Sequence, residues 1–395
     1  MNIRDAKQEI IHTIEAYRAR DGKGRLMIER MRQRPILLMG PPGIGKTQIM
    51  EEIAADLSIG LLSYSITHLT RQSAVGLPMI REEEFDGRTV SVTKYTMSEI
   101  LAEVHHKIRD EGRTEGILFL DEINCVSETL HPALLQFLQF KTFANEPLPD
   151  GWILVAAGNP LWANKSAREF DLVTLDRVRE IKVEPSLAAW MEYAENAGVH
   201  GAIRAYLELK NDHFYRIRED TDDPSFVTAR GWEDLSKLIL AYEHQGVLIT
   251  AETVREFLHD EEIAEDFTAF LTLYRSFLKD DALQAILAGR ADGPIYERAM
   301  KAPFDERLAL TVLLFDAFRN APKEETLTHI FEFLRASFGE ERELLLFVTS
   351  LTRNADTAVF LAEHPHEEYL KYSRLFLMDG RRQEILKLLV TPQCQ

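Results

Sequence analysis

The sequence predicts an α/β domain built on a parallel sheet, followed by a longer helical part. Three short apolar runs, at residues 35–39, 117–120 and 152–157, are typical of strands that are buried on both faces. Apolar residues at the spacing of one helix face follow the first run and recur through the C-terminal part. Because parallel strands end at the same edge of a sheet, the polar residues after each run are expected to share one site.

The first run leads into a glycine-rich turn that is typical of triphosphate binding. After the turn, Ile49, Met50 and Ile53 recur on one helix face, so the order is strand, loop and helix. Glycines let backbone N–H groups converge on phosphate oxygens, while the lysine reaches the β- and γ-phosphates and the threonine binds Mg²⁺. The residues predicted to bind ATP are Gly40, Pro41, Pro42, Gly43, Ile44, Gly45, Lys46 and Thr47.

The second run ends in two carboxylates that are expected to have different tasks. We predict that Asp121 holds Mg²⁺ together with Thr47, and that Glu122 orients the attacking water. Phosphoryl transfer depends on such positioning and charge stabilisation more than on covalent chemistry. A solvated acidic pair at a strand end is the alternative, and the upstream glycine-rich turn favours the catalytic interpretation.

Asn159, in Gly158-Asn159-Pro160, follows the third run. An amide at this point is predicted to lie between the water and the γ-phosphate as a sensor. The alternative is that Asn159 caps the turn before Pro160, since asparagine favours turns and the residue before proline is extended. The two interpretations are compatible.

Two arginines complete the predicted site. Arg177 precedes a predicted sheet strand at 181–183. In a ring it would lie at a subunit edge, so it is expected to act as an arginine finger on the γ-phosphate of a neighbouring subunit, with Arg179 as a substitute. The alternative for Arg177 is a solvated ion pair with Asp176 or Glu180. Arg230 opens a predicted helix and is expected to contact the same nucleotide from a helical lid.

Together these segments resemble the AAA+ superfamily, and within it the MoxR-like ATPases. The resemblance implies an α/β P-loop NTPase of the AAA+ type, with a parallel sheet between helices, an all-α lid and an additional C-terminal helical domain. It also implies an ATPase that uses ATP and Mg²⁺ in a homo-hexameric ring and acts as a chaperone-like remodeller, usually with a von Willebrand A-domain partner. The segments are RQRPILLMGPPGIGKT (32–47), GILFLDEIN (116–124), AAGNP (156–160), LDRV (175–178) and TARGWEDL (228–235).

The sequence departs from this family in two places. Val178 stands where many relatives have phenylalanine, which leaves the choice between Arg177 and Arg179 open. Residues 250–395 extend beyond the usual core. The family typically carries an insert in helix 2, and residues 78–93 are predicted to form that hairpin because alternating residues flank Asp86-Gly87, a strong two-residue turn signal.

The length of 395 residues predicts more than one hydrophobic core. The C-terminal part is helical by pattern: Phe267, Phe270, Leu271, Tyr274, Phe277 and Leu278 share one face. The predicted divisions are an N-terminal helix and connector (1–35), the nucleotide-binding core (36–185), a helical lid (186–248) and a C-terminal helical extension (249–395).

The formal net charge is −18, which argues against nonspecific nucleic-acid binding, because such binding draws its affinity from lysine and arginine. We therefore expect protein partners and no nucleic acid, with a nucleic-acid-dependent AAA+ motor as the alternative. A nucleotide-gated binding module is less favoured, since a pure switch has no need of Glu122. A GTPase is also less favoured, because residues 164–167 lack the aspartate of a guanine-reading motif.

Two isolated cysteines, Cys125 and Cys394, fit a reducing compartment and show no zinc spacing. No apolar stretch approaches the length of a membrane span, and the charged N-terminus has no secretory apolar region. The sequence therefore predicts a cytoplasmic protein without a membrane span.

Overall fold

The computed structural model describes residues 1–143, 146–218, 225–278, 281–339 and 342–378. The chain forms two compact units, Met1–Ser186 and Leu187–Gln395. The first unit contains strands β1 Ile36–Met39, β2 Gly60–Ser65, β3 Pro78–Phe85, β4 Arg88–Tyr95, β5 Gly116–Asp121, β6 Thr142–Phe143, β7 Glu146–Pro147, β8 Trp152–Gly158 and β9 Arg179–Lys182. Its helices are α1 Ile3–Arg18, α2 Lys46–Asp56, α3 Arg71–Val75, α4 Glu99–Glu111, α5 His131–Phe140 and α6 Leu172–Leu175.

Five parallel strands form the central sheet of the first unit, in the order β2-β5-β8-β1-β9. Alternate residues point to opposite faces, so Leu118, Leu120 and Leu154 pack with α4 and α5 in one buried cluster. The opposite face carries Ile117 and Phe119, both fully buried, and α2 packs on the sheet there. The predicted parallel sheet between helices is confirmed.

Strand β9 begins two residues before the predicted 181–183. The backbone N–H of Arg179 already donates to the carbonyl of Pro35, at 2.8 Å, so pairing with β1 starts there. The side chain of Arg179 turns to α1, where it donates to Thr13 Oγ1 at 2.5 Å and pairs with Glu9. Lys7 of α1 pairs with Glu52 at 2.7 Å. These polar contacts fix the orientation of α1 more than they add stability, because the pairs are partly exposed.

Strands β3 and β4 form a two-stranded hairpin that is exposed on both faces. Its register runs from Pro78 opposite Tyr95 to Phe85 opposite Arg88. Asp86 and Gly87 make the turn with φ of 49° and 73°, the two positive values that a type I′ turn requires. Pairing and turn geometry therefore define this hairpin, because most of its side chains lie in water.

Within its described residues, the second unit is helical apart from a small antiparallel pair, β10 Arg216–Arg218 and β11 Ser225–Val227. Its helices are α7 Leu187–Asn196, α8 Gly201–Leu209, α9 Ala229–Gln245, α10 Ala251–Leu258, α11 Glu261–Leu278, α12 Asp281–Leu287, α13 Gly293–Lys301, α14 Phe304–Asn320, α15 Glu324–Phe338, α16 Arg342–Arg353, α17 Ala355–Glu363 and α18 Glu367–Met378. The predicted helical C-terminal region is thereby confirmed.

One continuous hydrophobic core runs through the second unit and includes Trp232 of α9 and Phe267 of α11. Four residues of the predicted apolar face are buried, namely Phe267, Phe270, Leu271 and Tyr274. The side chains of Phe277 and Leu278 lie outside the described part. Because the core joins residues on both sides of position 248, the predicted separation of lid and extension stays a prediction.

Charged side chains are also buried in the second unit. Arg204 is fully buried, pairs with Asp316 and donates to the carbonyl of Val199 at 3.1 Å. Glu195 is 1% exposed, and burial raises its pKa to about 7, although Arg353 and Arg204 act in the opposite direction. This carboxyl therefore titrates near neutrality when the unit is folded.

In the described part of the chain, no single helix is both long and apolar enough to cross a membrane. Helices α16 and α17 reach that length and composition only as a pair, and a bend of 92° separates them. The same ranges hold no group of three or more His, Cys, Asp or Glu side chains arranged around a metal position. Cys394 lies outside the described residues.

Candidate active site

Three neighbouring strands bring the predicted site residues to one edge of the sheet. Strands β5, β8 and β1 are adjacent and parallel, and Met39 at the end of β1 lies opposite Gly158 at the end of β8. The glycine-rich turn follows β1, the two carboxylates end β5, and Asn159 follows β8. This edge is where ligands bind in open α/β sheets.

The glycine-rich turn folds around the ammonium of Lys46. The side chain is 7% exposed, and its Nζ donates to the carbonyls of Gly40 at 2.5 Å and Pro41 at 3.0 Å. Gly45, with φ of 92°, takes a left-handed conformation that a side chain would strain, and α2 begins at the next residue. A buried cation at a helix N-terminus fits a bound phosphate group.

Thr47 and Asp121 meet beside this turn. The Thr47 hydroxyl donates to Asp121 Oδ2 at 2.8 Å, while Asp121 Oδ1 accepts the backbone N–H of Glu122 at 2.9 Å. A hydroxyl and a carboxylate are the oxygen ligands that Mg²⁺ prefers when it binds alongside a phosphate. The residues present therefore fit both a triphosphate and its magnesium ion.

Glu122 has φ of 57°, a left-handed value that is uncommon outside glycine and that concentrates at functional sites. Its carboxylate accepts a hydrogen bond from Thr67 Oγ1 at 3.3 Å. Thr67 follows β2, the neighbour of β5 on the side away from β1. The bond thus holds the carboxylate on the β2 side of β5. Sequence reasoning missed Thr67, since only the strand order shows that it lies beside Glu122.

Asn159 is buried, and its Oδ1 accepts a hydrogen bond from Lys46 Nζ at 3.0 Å. The structure thereby joins the predicted sensor to the predicted phosphate-binding lysine. The nearby thiol of Cys125 accepts a hydrogen bond from Asn164 Nδ2 at 3.3 Å, and burial raises the pKa of this thiol. Cys125 is therefore a neutral neighbour of the site near pH 7.

Arg177 lies at the opposite edge of the sheet from the glycine-rich turn, where the parallel strands begin. It precedes β9, whose first residue is opposite Ile36 at the start of β1, whereas the glycine-rich turn follows the end of β1. Four strand residues at about 3.3 Å each separate the two edges by roughly 10 Å or more. Arg177 is exposed. Hydrogen bonds from Thr174 lower the pKa of the nearby Asp171 carboxyl, and the charge of Arg177 acts in the same direction. Arg177 stands apart from the Lys46 of its own chain.

Arg230 belongs to the second unit. It is exposed in the first turn of α9, which is capped by Thr228, whose Oγ1 accepts the backbone N–H of Gly231 at 3.2 Å. The predicted helix at this point is confirmed. The contact of Arg230 with a nucleotide stays a prediction.

Fold and site together define a P-loop nucleotide-binding α/β domain. Residues 36–166 match the family model described as "ATPase family associated with various cellular activities (AAA)". The chain therefore contains an AAA-family domain, and this part of the sequence-based assignment is confirmed. The narrower MoxR-like assignment stays a prediction.

Two solved structures show a distant likeness to the chain. A mutant of RuvB from Thermotoga maritima is 14% identical with a TM-score of 0.38, over 70% of this chain and 76% of that chain. The Thermotoga maritima RuvB Holliday junction branch migration motor is 16% identical with a TM-score of 0.37, over 71% and 76%. TM-scores this low establish neither fold nor function. The comparison with curated proteins gives no match.

Proposed function

We propose that this protein binds ATP with Mg²⁺ and hydrolyses it to ADP and phosphate. One observation carries the proposal: the buried ammonium of Lys46 contacts the glycine-rich turn and Asn159, while Thr47 bonds to Asp121 beside it. A cation, a hydroxyl–carboxylate pair and a polar amide are the groups that phosphoryl transfer needs at one place.

Each residue has a task that its position supports. Lys46 and the backbone N–H groups of residues 43–45 bind phosphate oxygens, and Thr47 with Asp121 holds the magnesium ion, which neutralises phosphate charge when bound. Glu122 orients and polarises water, and Asn159 holds its amide beside Lys46 as the sensor.

The ATPase is proposed to work as a ring in which Arg177 acts on the neighbouring subunit. Its position at the edge opposite the glycine-rich turn supports action in trans, as does the exposure of its side chain. Leu172 and Val173, on the short helix before it, are 84% and 57% exposed. Exposed apolar side chains beside an exposed arginine are typical of a surface that another protein chain covers.

The resemblance to MoxR-like ATPases extends the proposal. It supports a homo-hexamer that remodels or matures partner proteins, with a von Willebrand A-domain protein as the partner and Arg230 contacting the nucleotide from a helical lid. The negative net charge of −18 supports protein clients over nucleic acid.

The primary experiment is steady-state ATP hydrolysis by the purified full chain. Lys46→Ala and Glu122→Gln are each expected to lower kcat on the order of 10²-fold or more, the size seen when one electrostatic group of a transition state is removed. Lys23→Ala, which removes an exposed lysine from the loop after α1, is the matched control. Equal turnover in all four proteins, or none in the unsubstituted chain, contradicts the proposal.

Mixing two inactive variants tests the ring. Subunits with Arg177→Ala keep their own nucleotide site, and subunits with Glu122→Gln still supply Arg177 to a neighbour. Mixed rings should therefore regain turnover that neither variant shows alone. If mixing restores nothing while each variant assembles normally, Arg177 does not act in trans.

The partner class is tested by capture with the Glu122→Gln variant in ATP. Recovery of a protein that bears the metal-dependent adhesion sequence D-x-S-x-S supports the proposed partner. Strong, salt-sensitive stimulation of turnover by DNA or RNA supports the nucleic-acid motor instead.

A further inference from the structure

Asn124 lies two residues after Glu122 and is 1% exposed. Its side-chain amide pairs with the backbone of Asn159 at two points. Asn124 Nδ2 donates to the Asn159 carbonyl at 2.8 Å, and Asn124 Oδ1 accepts the Asn159 N–H at 3.0 Å. These two antiparallel hydrogen bonds fix the position and the orientation of the Asn159 backbone. They therefore also fix the direction in which the Asn159 side chain points.

The same residue also holds the segment that follows Asn159. Asn124 Nδ2 donates to the carbonyl of Arg168 at 3.1 Å, and the N–H of Arg168 donates to the backbone carbonyl of Asn124 at 2.9 Å. From Arg168 the chain continues through α6 to Arg177. A single buried side chain, two residues after Glu122, thus contacts both the sensor residue and the segment that leads to the candidate finger.

We propose that Asn124 is a positioning residue that sets Asn159 against Lys46 and ties the sensor to residues 168–177. This inference rests on the proposed ATPase function. Asn124 itself touches neither Lys46 nor the carboxylates' oxygen atoms among the described contacts, so it acts through Asn159. An amide is required here, because the site needs one group that donates twice and another that accepts, and no other side chain of this size supplies both.

The Asn124→Asp variant gives the sharpest test. It keeps the shape and the acceptor but, when ionised, loses both donated bonds. When protonated, its carboxyl again donates to the Asn159 carbonyl while its other oxygen accepts the Asn159 N–H. Burial raises the pKa of such a carboxyl, so protonation is reached at mildly acidic pH. Turnover of the variant should therefore rise, relative to the unsubstituted chain at each pH, as pH falls.

The expected size follows from positioning. Displacing a catalytic group by about 1 Å costs on the order of 10²-fold in rate. At pH 8 the variant is expected to lose about that factor in kcat, while the Kd for a fluorescent ADP changes less than about threefold, because the binding atoms of the glycine-rich turn are untouched. Asn164→Asp is the matched control, an amide in the same segment that bonds to Cys125 and not to the Asn159 backbone.

A second measurement needs neither nucleotide nor turnover. Hydrogen exchange of the Asn159 N–H, which donates to Asn124 Oδ1, is expected to be faster in Asn124→Ala than in the unsubstituted chain. The Arg168 N–H donates to a backbone carbonyl and should change less. Faster exchange of the Asn159 N–H supports the positioning role of Asn124 even if the chain proves not to hydrolyse ATP. A chain without ATP turnover would contradict the proposed function and leave the positioning role standing.

Two outcomes overturn the inference. The first is turnover in Asn124→Asp within about threefold of the unsubstituted chain at pH 8, with unchanged exchange at Asn159. The second is a parallel loss of kcat, ADP binding and melting temperature without recovery at lower pH, because a purely structural role predicts that pattern.

Discussion

Replacing Gly158 by alanine tests the geometry of the candidate active site directly. Gly158 ends β8 immediately before Asn159, and a Cβ at this position would lie 2.8 Å from Met39 Sδ and 2.9 Å from Asn124 Oδ1. Methionine is flexible and moves at low cost. Asn124 cannot move without losing its bonds to Asn159, so the added methyl group should displace the sensor.

The magnitude has two parts. Inserting a methyl group into a tightly packed site costs about 1–3 kcal/mol, and the lower entropy of the unfolded alanine chain returns about 0.4–1 kcal/mol. A net loss of about 1–2 kcal/mol corresponds to a fall of roughly 2–8 °C in the melting temperature of a unit of this size. Gly22→Ala is the matched control, since nothing lies within 4 Å of a Cβ at Gly22.

The assay combines thermal unfolding with ATP turnover at saturating ATP. Gly158→Ala should melt earlier and lose kcat on the order of 10²-fold, the cost of a group misplaced by about 1 Å, while Gly22→Ala should melt at the same temperature or slightly higher. If Gly158→Ala melts and turns over like the control, the contact between β8 and Asn124 is not tight and the reasoning is refuted.

Three further predictions concern single side chains. Thr67→Val should raise basal kcat by up to about tenfold without changing the melting temperature, because it frees Glu122 from a hydrogen bond worth about 1.5 kcal/mol. Lower turnover in this variant would contradict the role given to the bond. Thr47→Ala should raise the Mg²⁺ concentration needed for half-maximal turnover about 10–100-fold, whereas Thr47→Ser, which keeps the hydroxyl, should not. The pKa of Glu195 is raised from its ordinary value of 4.5 to about 7, so the folded unit binds a proton at Glu195 more tightly than the unfolded chain does. This proton stabilises the folded unit by on the order of 3 kcal/mol below about pH 4.5, and the stabilisation is lost as pH rises through 7. Urea unfolding at pH 5 and pH 8 should show this loss, and Glu195→Gln should remove it; an equal loss in that variant would assign it to other groups.

The parts of the fold that follow from local pattern were predictable from the sequence. Buried parallel strands require continuous apolar runs, and the glycine-rich turn requires glycine at a left-handed position such as Gly45, so both leave a signal within a few residues. The same holds for the turn at Asp86-Gly87. These signals were sufficient to place three groups of polar residues at one sheet edge.

The contacts of Thr67 and Asn124 could not be predicted in this way. Each depends on which strand lies beside β5, and the order β2-β5-β8-β1-β9 is a tertiary property that no short window of sequence contains. The position of Arg177 at the far edge has the same origin. The contacts of Arg179 with α1 are a further example, because they join residues more than 160 positions apart in the sequence.

The exposed hairpin has a practical consequence for engineering this molecule. At its base, the N–H of Thr96 donates to the carbonyl of Leu77 at 2.9 Å, so the two ends of the insert already lie side by side. The strands between them add nothing to the buried cluster under the sheet. A short linker from 77 to 96 should close the gap without strain, which makes this segment a natural place to graft an epitope, attach a dye or exchange sequence between relatives.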